Sequence, residues 1–481
     1  MVANQNASRP LHVRSEAKEI RKRPSAKSSR TTNAGELVQL RPTSVFLQGD
    51  QVTHNVTRGI AVCVTTGTVR LSSVRILFLS PRQCWPTISG AKLREYHLLR
   101  ALAQREQVTY LHFTDPGAEP LTRKDLPFCQ EVVAIPKPPA YGPAKLVQGV
   151  FGRWPLPILN YTSEEMSAAV DRLIATNAYD LIHLDLIHMI RYGEAIASRG
   201  KATRIVYNWH NIESELMRRF GATASSPWKS WYARLTARKL ASLEQDVLKI
   251  AFGHIVCSQR ELEELRRIAP SARIAVIENG VDVASFSATA DASPQTNKRQ
   301  STRILFVGLM NYTANVEAAT SFCQRIWPLL RRRLPDLELW IVGASPTPAV
   351  VQLGAVPGVT VTGTVPEVRP YYRDALAAIV PLRTGGGTRL KILEAMAAGV
   401  PVVSTPLGAE GLSVTPGENI LMAEPDDAET WLRHLEYLKA SEPARKALSA
   451  AALALVRTTY DWEILGRKLC DTYEGWLRDQ A

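Results

Sequence analysis

Residues 378–412 read AIVPLRTGGGTRLKILEAMAAGVPVVSTPLGAEGL, and this stretch decides the fold. The apolar run 377–382 predicts a buried strand. The triple glycine 385–387 follows it, and three glycines allow the backbone to approach a ligand because no side chain intervenes. Residues 389–398 are helix-forming, with Thr388 as the expected N-cap, and a glycine and a proline end the helix before the next apolar run. The stretch therefore predicts a strand, a glycine loop, a helix and a second strand.

The chemistry of this stretch is concentrated where the loop meets the helix. Free backbone N–H groups and the positive end of the helix dipole suit an anion such as a phosphate. Arg383, Arg389 and Lys391 add positive charge around the same loop. Glu394 lies one turn beyond Lys391. A carboxylate beside a phosphate must bind a different part of the ligand, and sugar hydroxyls are the natural hydrogen-bond donors to it. Taken alone, the pattern also fits an ordinary α/β turn followed by a solvated Lys391–Glu394 pair.

The positive charge of the chain is concentrated at its N-terminus. The net charge is +13, and residues 1–70 carry 11 Lys/Arg against 4 Asp/Glu. Residues 1–72 show no sustained hydrophobic period, so we predict a disordered basic extension. The remainder is mildly basic, which fits anionic substrates or an anionic lipid surface, and no recognition-helix or RNP-type pattern favours nucleic acid.

Length and cysteine usage limit the class of protein further. At 481 residues and 45% hydrophobic, the chain is long enough for two Rossmann-like domains. Its six cysteines form no C-x-x-C pair, so a reducing compartment is the simplest interpretation. No apolar run approaches the length of a membrane span. We therefore expect a cytoplasmic protein, either soluble or peripheral on the cytoplasmic face of the membrane.

The first domain begins abruptly with the apolar run at Val74. Alternating strand and helix patterns follow, which predicts a parallel sheet in an α/β fold. The first loop contains Gly90 but no G-x-G-x-x-G sequence, which argues against a dehydrogenase. Gly90 is either a ligand contact or part of an ordinary turn. His210 follows the predicted strand 204–208, at the sheet edge where α/β proteins bind ligands, although a strand-end histidine is more often structural.

One segment of the first domain is compatible with two environments. Residues 145–154 place Leu146, Val147, Val150, Phe151 and Trp154 on one face of a short helix between two basic residues. This face either packs against the domain or meets lipid as an interfacial helix. Gly149, Gly152 and Pro155 make it a poor helix in isolation.

Several segments resemble glycosyltransferase family 4, also called group 1. They are WHNIE at 209–213, IENGVD at 277–282 and EAMAAGVPVVST at 394–405. The resemblance covers the chain from about Val74 onward. It implies the GT-B fold, in which two Rossmann-like parallel-sheet domains face each other across a cleft, and a retaining transfer from a nucleotide-diphosphate sugar without a metal.

The resemblance also implies the domain plan. We predict a first domain over 73–285, a linker over 286–301 and a donor domain over 302–457. The last helix, 458–481, is expected to cross back to the first domain.

The resemblance and the loop chemistry together assign the candidate site. His210 is implied to sit over the donor sugar, Lys391 to hold the diphosphate and Glu394 to bind the ribose, and these three receive the catalytic roles. The donor-binding residues are Gly90, Gly308, Asn315, Val365, Arg383, Gly385, Gly386, Gly387, Thr388, Arg389, Lys391 and Glu394.

Two departures from the family pattern bear on this site. The family commonly has a glutamate eight positions before Glu394, where this chain has Gly386. Family members also often have Arg and Lys in the loop after the first strand of the donor domain, and this chain has no basic residue between Phe306 and Phe322. Gly386 is explained by loop N–H groups that replace the carboxylate, by a different donor sugar or by a loss of activity, and we favour the first. Arg383, Arg389 or Lys391 is expected to supply the missing charge.

The expected function is sugar transfer from a nucleotide-diphosphate sugar to a sugar or lipid-linked acceptor, in the synthesis of cell-surface polysaccharide or glycolipid. Peripheral contact with an anionic membrane accompanies this expectation, and neither a cofactor nor a nucleic acid partner is expected. Two alternatives stay open, namely a nucleotide-sugar epimerase of the same architecture, which needs no acceptor, and a catalytically inactive scaffold, which binds no nucleotide.

Overall fold

The computed structural model describes residues 73–199, 204–224, 226–291, 302–373, 375–385 and 389–479. The predicted extension over 1–72 lies outside these residues, as do Gly386, Gly387 and Thr388 of the glycine loop. The linker predicted over 286–301 is described only up to residue 291, and that part is helical.

The first domain is built on a seven-stranded parallel sheet in the order β3-β2-β1-β4-β5-β6-β7. Its strands are β1 (Arg75–Ser80), β2 (Gln107–Thr114), β3 (Glu131–Pro136), β4 (Leu181–Asp185), β5 (Arg204–Asn208), β6 (Gly253–Val256) and β7 (Ile274–Val276). Strand β1 lies between β2 and β4, with Leu77 opposite Thr109 on one side and Ile182 on the other. The central strands are buried along their length, as the near-continuous apolar runs predict.

Nine helices of the described residues cover or follow this sheet. They are α1 (Gly90–Arg105), α2 (Pro143–Phe151), α3 (Leu156–Leu159), α4 (Glu164–Thr176), α5 (Ile190–Ala197), α6 (Glu213–Thr223), α7 (Pro227–Ile250), α8 (Gln259–Ile268) and α9 (Val283–Asp291). The side chains of Ser89, Ser163 and Ser258 accept hydrogen bonds at the N-termini of α1, α4 and α8, which explains where these three helices begin.

The second domain repeats the design with a six-stranded parallel sheet in the order β10-β9-β8-β11-β12-β13. Its strands are β8 (Arg303–Val307), β9 (Glu338–Val342), β10 (Val359–Gly363), β11 (Ala375–Val380), β12 (Val402–Ser404) and β13 (Leu421–Met422). Its helices are α10 (Thr313–Arg325), α11 (Trp327–Arg333), α12 (Pro348–Gln352), α13 (Arg369–Arg373), α14 (Leu390–Ala397), α15 (Ala428–Ala440) and α16 (Glu442–Leu455).

The strand, helix and strand predicted from residues 378–412 are present as β11, α14 and β12. The start of the helix differs by one position, because Arg389 and not Thr388 occupies the N-cap position, and its side chain makes no capping hydrogen bond. Gly399 follows the helix with φ of +70°, which confirms the glycine stop.

The last predicted helix is divided in two. A π-helical turn, Val456–Tyr460, is followed by α17 (Trp462–Arg478), whose N-cap is Asp461. The junction is joined to the first domain because Val281 N donates to Tyr460 O at 2.8 Å and Trp462 N donates to Val281 O at 3.2 Å.

Helix α17 then packs on the first domain. A Cβ built at Gly466 would lie 2.5 Å from Ala101 Cβ, so α17 approaches α1 closely where it lacks a side chain. Tyr473 Oη lies 2.6 Å from His183 Nδ1. The terminal helix is therefore part of the core of the first domain.

Candidate active site in the cleft between the two sheets

A cleft of about 920 Å³ is lined by loops at the carboxyl ends of strands from both sheets. Its size is that of a pocket for a nucleotide-sized molecule. Of the residues assigned from sequence, those lining the cleft are Gly90, His210, Gly308, Asn315, Val365, Arg389, Lys391 and Glu394. The structure thus brings together residues that are more than 300 positions apart, while their roles stay predictions.

Lys391 and Asn315 form one corner of the cleft. Lys391 Nζ donates to Asn315 Oδ1 at 2.6 Å, and Asn315 Nδ2 donates to Leu309 O at 2.9 Å. The ammonium also lies 4.8 Å from the centroid of the Phe306 ring. Gly308 makes room for this pair, because a Cβ there would lie 2.8 Å from Asn315 Nδ2. A well-positioned ammonium therefore points to the loop after β8.

The ionisation of Lys391 is sensitive to its surroundings. Burial, with the neighbouring positive charge of Arg389, lowers the pKa of Lys391 to about 7, although Glu394 opposes the shift. A bound diphosphate would favour the charged form of Lys391. Binding of such an anion would therefore be coupled to uptake of a proton by the Lys391 amine.

Glu394 lies on the same helix, one turn further on. Tyr372 Oη donates to Glu394 Oε2 at 3.2 Å. Burial raises the pKa of Glu394 to about 7, against the opposing effects of the Tyr372 hydrogen bond and the charge of Lys391. A carboxylate with one protein donor keeps further capacity to accept hydrogen bonds from the hydroxyls of a ligand.

Arg383 has a different position from the one predicted. It forms a bidentate pair with Asp426, with Nη1–Oδ1 at 2.6 Å and Nη2–Oδ2 at 2.8 Å, and it is not among the described residues that line the cleft. The guanidinium of Arg383 thus has a carboxylate partner outside the cleft, and its assignment to the diphosphate stays a prediction.

Arg389 lines the cleft, but its guanidinium pairs with the carboxylate of Glu410. Its side chain is buried, Nη2 donates to Glu410 Oε2 at 3.2 Å and Nε donates to Glu410 O at 3.3 Å. Burial lowers the pKa of Arg389, and Glu410 opposes this. Arg389 therefore contributes a partly compensated charge. Arg369 also lines the cleft and pairs with Glu367, whereas Lys391 has the neutral Asn315 as its hydrogen-bond partner.

Gly385 has a structural reason to be glycine. Its φ is +103°, and a Cβ there would lie 2.9 Å from Ala314 Cβ on α10. The close approach seen at this end of the loop is to the protein's own helix. Gly385 is not among the described residues that line the cleft, and the other two glycines and Thr388 lie outside the described part of the chain.

Across the cleft, His210 belongs to a buried hydrogen-bond chain. His210 Nε2 lies 2.9 Å from Asp185 Oδ1, which also accepts from Asn208 Nδ2 at 2.7 Å. Asn208 Oδ1 accepts from Arg94 Nη2 at 2.9 Å, and Arg94 Nη1 donates to Ile277 O at 2.8 Å. The chain links the IENGVD segment to His210.

The charges of this chain are set by burial and by each other. Burial lowers the pKa of His210, which is therefore neutral near pH 7. Burial acts to raise the pKa of Asp185, but His210 and Arg82 outweigh it and hold the pKa below its ordinary value. An ionised Asp185 accepts from Nε2–H of the neutral ring and so leaves Nδ1 as the nitrogen with a free lone pair.

Asp185 and Arg94 were missed from sequence. Asp185 ends β4, beside the strand that precedes His210, so the strand-end argument applied to His210 also applies to it. Arg94 gives no such signal, because a single arginine on an amphipathic helix normally faces solvent. Its burial follows only from the tertiary contacts of α1.

Gly90 is the first residue of α1, directly after the N-cap Ser89. Ser89 and Gly90 both line the cleft, so the N-terminus of α1 opens toward it from the first domain. This geometry is compatible with an anion contact.

Two family models match the chain, one in each half. The model described as Glycosyltransferase Family 4 matches residues 88–285. The model described as Glycosyl transferases group 1 matches residues 301–440. Together they cover well over half of the chain, and each lies within one of the two sheet domains.

Individual proteins agree with these matches. The GDP-mannose-dependent alpha-(1-6)-phosphatidylinositol monomannoside mannosyltransferase of Mycolicibacterium smegmatis is 27% identical over 221 residues, which are 43% of this chain and 57% of that protein. The chain spans about half the length of the curated relatives that it matches first.

Solved structures share the fold. Sucrose-phosphate synthase from Thermosynechococcus elongatus superposes with a TM-score of 0.63 at 18% identity, over 84% of this chain and 100% of that one. Anabaena Alr3699/HepE in complex with UDP-glucose gives 0.55 at 17% identity, over 83% and 99%. At these identities the likeness concerns the fold alone. The chain has the GT-B fold and belongs to the glycosyltransferases of group 1, the family 4-like sugar transferases.

Proposed function

We propose that the chain transfers a sugar from a nucleotide-diphosphate sugar to an acceptor hydroxyl, with retention at the anomeric carbon, in the synthesis of a glycolipid or cell-surface polysaccharide. One observation carries the proposal: a single cleft has Lys391 and Glu394 on its donor wall and His210 on the opposite wall. The mannosyltransferase relative, which acts on a phosphatidylinositol mannoside, and the neighbour that binds UDP-glucose support this class of substrates.

The reaction exchanges one bond for another. The bond between the anomeric carbon and the β-phosphate oxygen breaks, and the acceptor oxygen takes its place, while the proton of the acceptor hydroxyl leaves with the nucleoside diphosphate. Negative charge develops on the departing diphosphate. Lys391, oriented by Asn315, and the N–H groups at the start of α14 stabilise that charge, which is the main electrostatic task of the site.

The remaining site residues hold the donor in place. Glu394 accepts hydrogen bonds from the ribose hydroxyls, and Val365 in the loop after β10 contacts the base through the backbone. His210 contacts the donor sugar. Backbone N–H groups of the glycine loop take the role of the glutamate that relatives have where this chain has Gly386.

A donor screen tests the proposal. UDP and GDP release from a panel of nucleotide sugars is measured with and without lipid-linked acceptors, for the wild type and Lys391→Ala. Acceptor-dependent release that Lys391→Ala lowers by about 10²- to 10³-fold is the expected result. Conversion of the donor without acceptor indicates an epimerase, and the absence of nucleotide binding in calorimetry indicates a scaffold. Either result contradicts the proposal.

Glu394→Gln should weaken donor binding by about 10- to 100-fold, because one charge-assisted contact contributes about 1.5–3 kcal/mol. Calorimetric titration with the nucleoside diphosphate measures the effect. A titration with inorganic pyrophosphate is the control, since it lacks the ribose and should be unaffected. An equal loss for both ligands would show that Glu394 does not bind the ribose.

Activity should be retained in excess EDTA, because the cation that faces the diphosphate in this proposal is Lys391 rather than a metal ion. Initial rates of nucleotide release are compared in EDTA and in Mg²⁺. An absolute requirement for Mg²⁺ would contradict the account of charge stabilisation by lysine and helix N-terminus.

The proposal places the reaction at the cytoplasmic face of a membrane when the acceptor is lipid-linked. No helix in the described part of the chain is long and apolar enough to cross a bilayer.

A further inference from the structure

Four large apolar side chains of the described residues are exposed where they line the cleft, and none of them belongs to the candidate site. Trp85 is 44% exposed and Ile88 is 75% exposed, and both lie in the loop between β1 and α1. Leu309 and Tyr312 lie in the corresponding loop of the second domain, between β8 and α10. Single exposed apolar side chains are ordinary, but several that line one cleft indicate a ligand with apolar surface of its own.

The two loops serve different sides of the cleft. Tyr312 is on the donor side, because its Oη would lie 3.5 Å from a Cβ built at Gly385 of the glycine loop. Asn315, three residues later, accepts from Lys391 Nζ at 2.6 Å. The loop of Trp85 comes from the first domain, on the wall opposite this lysine. A donor held at Lys391 leaves that wall for the acceptor.

The Trp85 indole is held in a fixed position by the residues behind it. The ring of Tyr96 on α1 packs against it, with the centroids 5.4 Å apart. Gln83 Nε2 donates to Trp85 O at 3.1 Å, and Cys84 N donates to Tyr110 Oη at 3.0 Å. Gln83 and Cys84 are both buried, so the start of the loop is anchored in the domain. An aromatic ring fixed in this way contacts a ligand with little loss of side-chain entropy.

Polar groups with unused hydrogen-bonding capacity accompany the indole in the cleft. Thr87 Oγ1, the Asn211 side-chain amide and Trp85 Nε1 have no hydrogen-bond partner in the part of the chain that the structure describes, and all three residues line the cleft. Thr87 and Asn211 are half-buried. The asparagine amide has two donor hydrogens and an acceptor oxygen, and the threonine hydroxyl both donates and accepts. These groups can therefore bind a ligand that carries several hydroxyls.

An aromatic face accompanied by hydroxyl and amide groups fits a sugar ring. One face of a pyranose presents C–H groups, which the electron-rich face of an indole attracts, while hydroxyls project from its edge. A lipid chain would also cover the indole. It would, however, remove Thr87 and Asn211 from water without giving them hydrogen bonds, which costs free energy. A bare phosphate has no apolar surface for Trp85.

We propose that Trp85, Thr87 and Asn211 form the acceptor subsite, and that the acceptor presents a sugar ring that stacks on the indole. Thr87 and Asn211 hold the ring through its hydroxyls, beside His210, which lines the same wall. The inference rests on the proposed function, because it names the acceptor of that reaction as a saccharide or a glycolipid with an exposed sugar. It excludes a lipid phosphate that carries no sugar.

Binding of simple sugars tests the subsite without turnover. Saturation-transfer difference NMR is recorded for the full chain with UDP or GDP present, and the probes are the methyl glycosides of glucose, galactose, mannose and N-acetylglucosamine. The wild type should transfer saturation to the ring protons of at least one glycoside. Trp85→Ala should abolish this signal, and Trp85→Phe should retain part of it because a smaller ring remains. No transfer by the wild type, or equal transfer by Trp85→Ala, would overturn the proposal.

Trp228 provides the matched control for the indole. It lies on α7 of the first domain, is exposed, and stacks on Trp231 with the centroids 4.7 Å apart. It is not among the described residues that line the cleft, so Trp228→Ala should give the wild-type signal. Calorimetric titration with the nucleoside diphosphate shows that each variant is folded. A signal lost equally in Trp228→Ala would count against a specific platform at Trp85.

Transfer kinetics give a second readout. With a saccharide acceptor, Trp85→Ala should raise the acceptor KM by about tenfold or more, because both aromatic contact and buried apolar area are lost. Asn211→Ala should raise it by about fivefold through the loss of one hydrogen bond. The donor KM of Trp85→Ala should stay near the wild-type value. An equal rise in donor KM would place Trp85 against the donor sugar and overturn the assignment.

The two proposals fail in different ways. Saturation transfer that depends on Trp85, without release of nucleoside diphosphate from any donor, would contradict the proposed function and leave the sugar subsite in place. Release with polyprenyl phosphate, which has no sugar, at the same rate as with a saccharide acceptor would support the proposed function and overturn the subsite.

Discussion

Replacing Lys391 with alanine is expected to lower kcat for sugar transfer by about 10²- to 10³-fold, the loss typical when one preorganised group for a developing negative charge is removed. The arginines on this side of the cleft already have carboxylate partners among the described residues, and Arg369 pairs with Glu367. Arg383 is engaged by Asp426, and Arg389 is buried against Glu410. The effect is measured as the steady-state rate of nucleoside diphosphate release at saturating donor, which gives kcat. This kcat reports the chemical step if that step is the slowest.

A matched lysine provides the control for this variant. Lys446 lies on α16 of the same domain, is exposed, and pairs with Glu442 at 2.8 Å. Lys446→Ala should leave kcat unchanged. If Lys391→Ala raised KM alone, the lysine would bind donor and transition state equally, and its assignment to the leaving group would fail.

The pH dependence of donor binding provides a second readout for Lys391. Its pKa of about 7 in the free protein rises when the diphosphate binds, so affinity is full below pH 7 and declines as the pH rises above it. Glu394 also has a pKa of about 7, but it must be ionised, because the ribose contact needs the carboxylate. Donor affinity therefore declines as the pH falls below about 7. Together they predict a bell-shaped profile centred near pH 7, with apparent values that belong to the pair.

Single substitutions separate the two limbs. Lys391→Arg keeps the charge at all working pH values and should remove the alkaline decline. Glu394→Gln should remove the acidic decline and leave the alkaline one. A profile that stays bell-shaped in both variants would assign the ionisations to other groups.

The fold was largely predictable because its signals are local. The apolar run, triple glycine and helix within residues 378–412 specify strand, loop and helix without reference to the rest of the chain. Alternating strands and helices specify a parallel sheet, since a right-handed crossover needs a helix between parallel strands. The positions of Gly308 and Asn315 followed from the same repeated pattern, which places the loop after β8 at the carboxyl edge of the second sheet.

The features that the sequence did not indicate are contacts between residues far apart along the chain. Arg383 pairs with Asp426, 43 positions later, and nothing near Arg383 indicates that carboxylate. The break at Asp461 depends on Val281, which approaches from the first domain. The chain from Arg94 to Asp185 joins α1, β5 and β4, so only the assembled sheet reveals that His210 has a buried carboxylate behind it.

That carboxylate leads to the second large expected effect. Asp185→Asn should lower kcat by about 10²-fold, the loss that follows when a group at the reacting centre is misplaced by about 1 Å. The ionised Asp185 accepts from Nε2–H of His210 and so fixes the ring and its tautomer. The neutral asparagine amide has two possible orientations. It either presents its oxygen to Nε2–H without the negative charge, or presents its N–H group to Nε2 and forces the other tautomer. Asp185 touches no substrate in this account, so it is a positioning residue.

A double-mutant cycle distinguishes positioning from a general loss of structure. If Asp185 acts through His210, then Asp185→Asn should cost little in the background of His210→Ala, although each change alone lowers kcat about 10²-fold. Additive losses would mean that Asp185 supports the domain by another route. Asn208→Ala is a second variant, because it removes the other donor to Asp185 Oδ1 and leaves the His210 contact in place. It should lower the thermal unfolding midpoint while keeping most of kcat, since the imidazole retains the carboxylate that orients it.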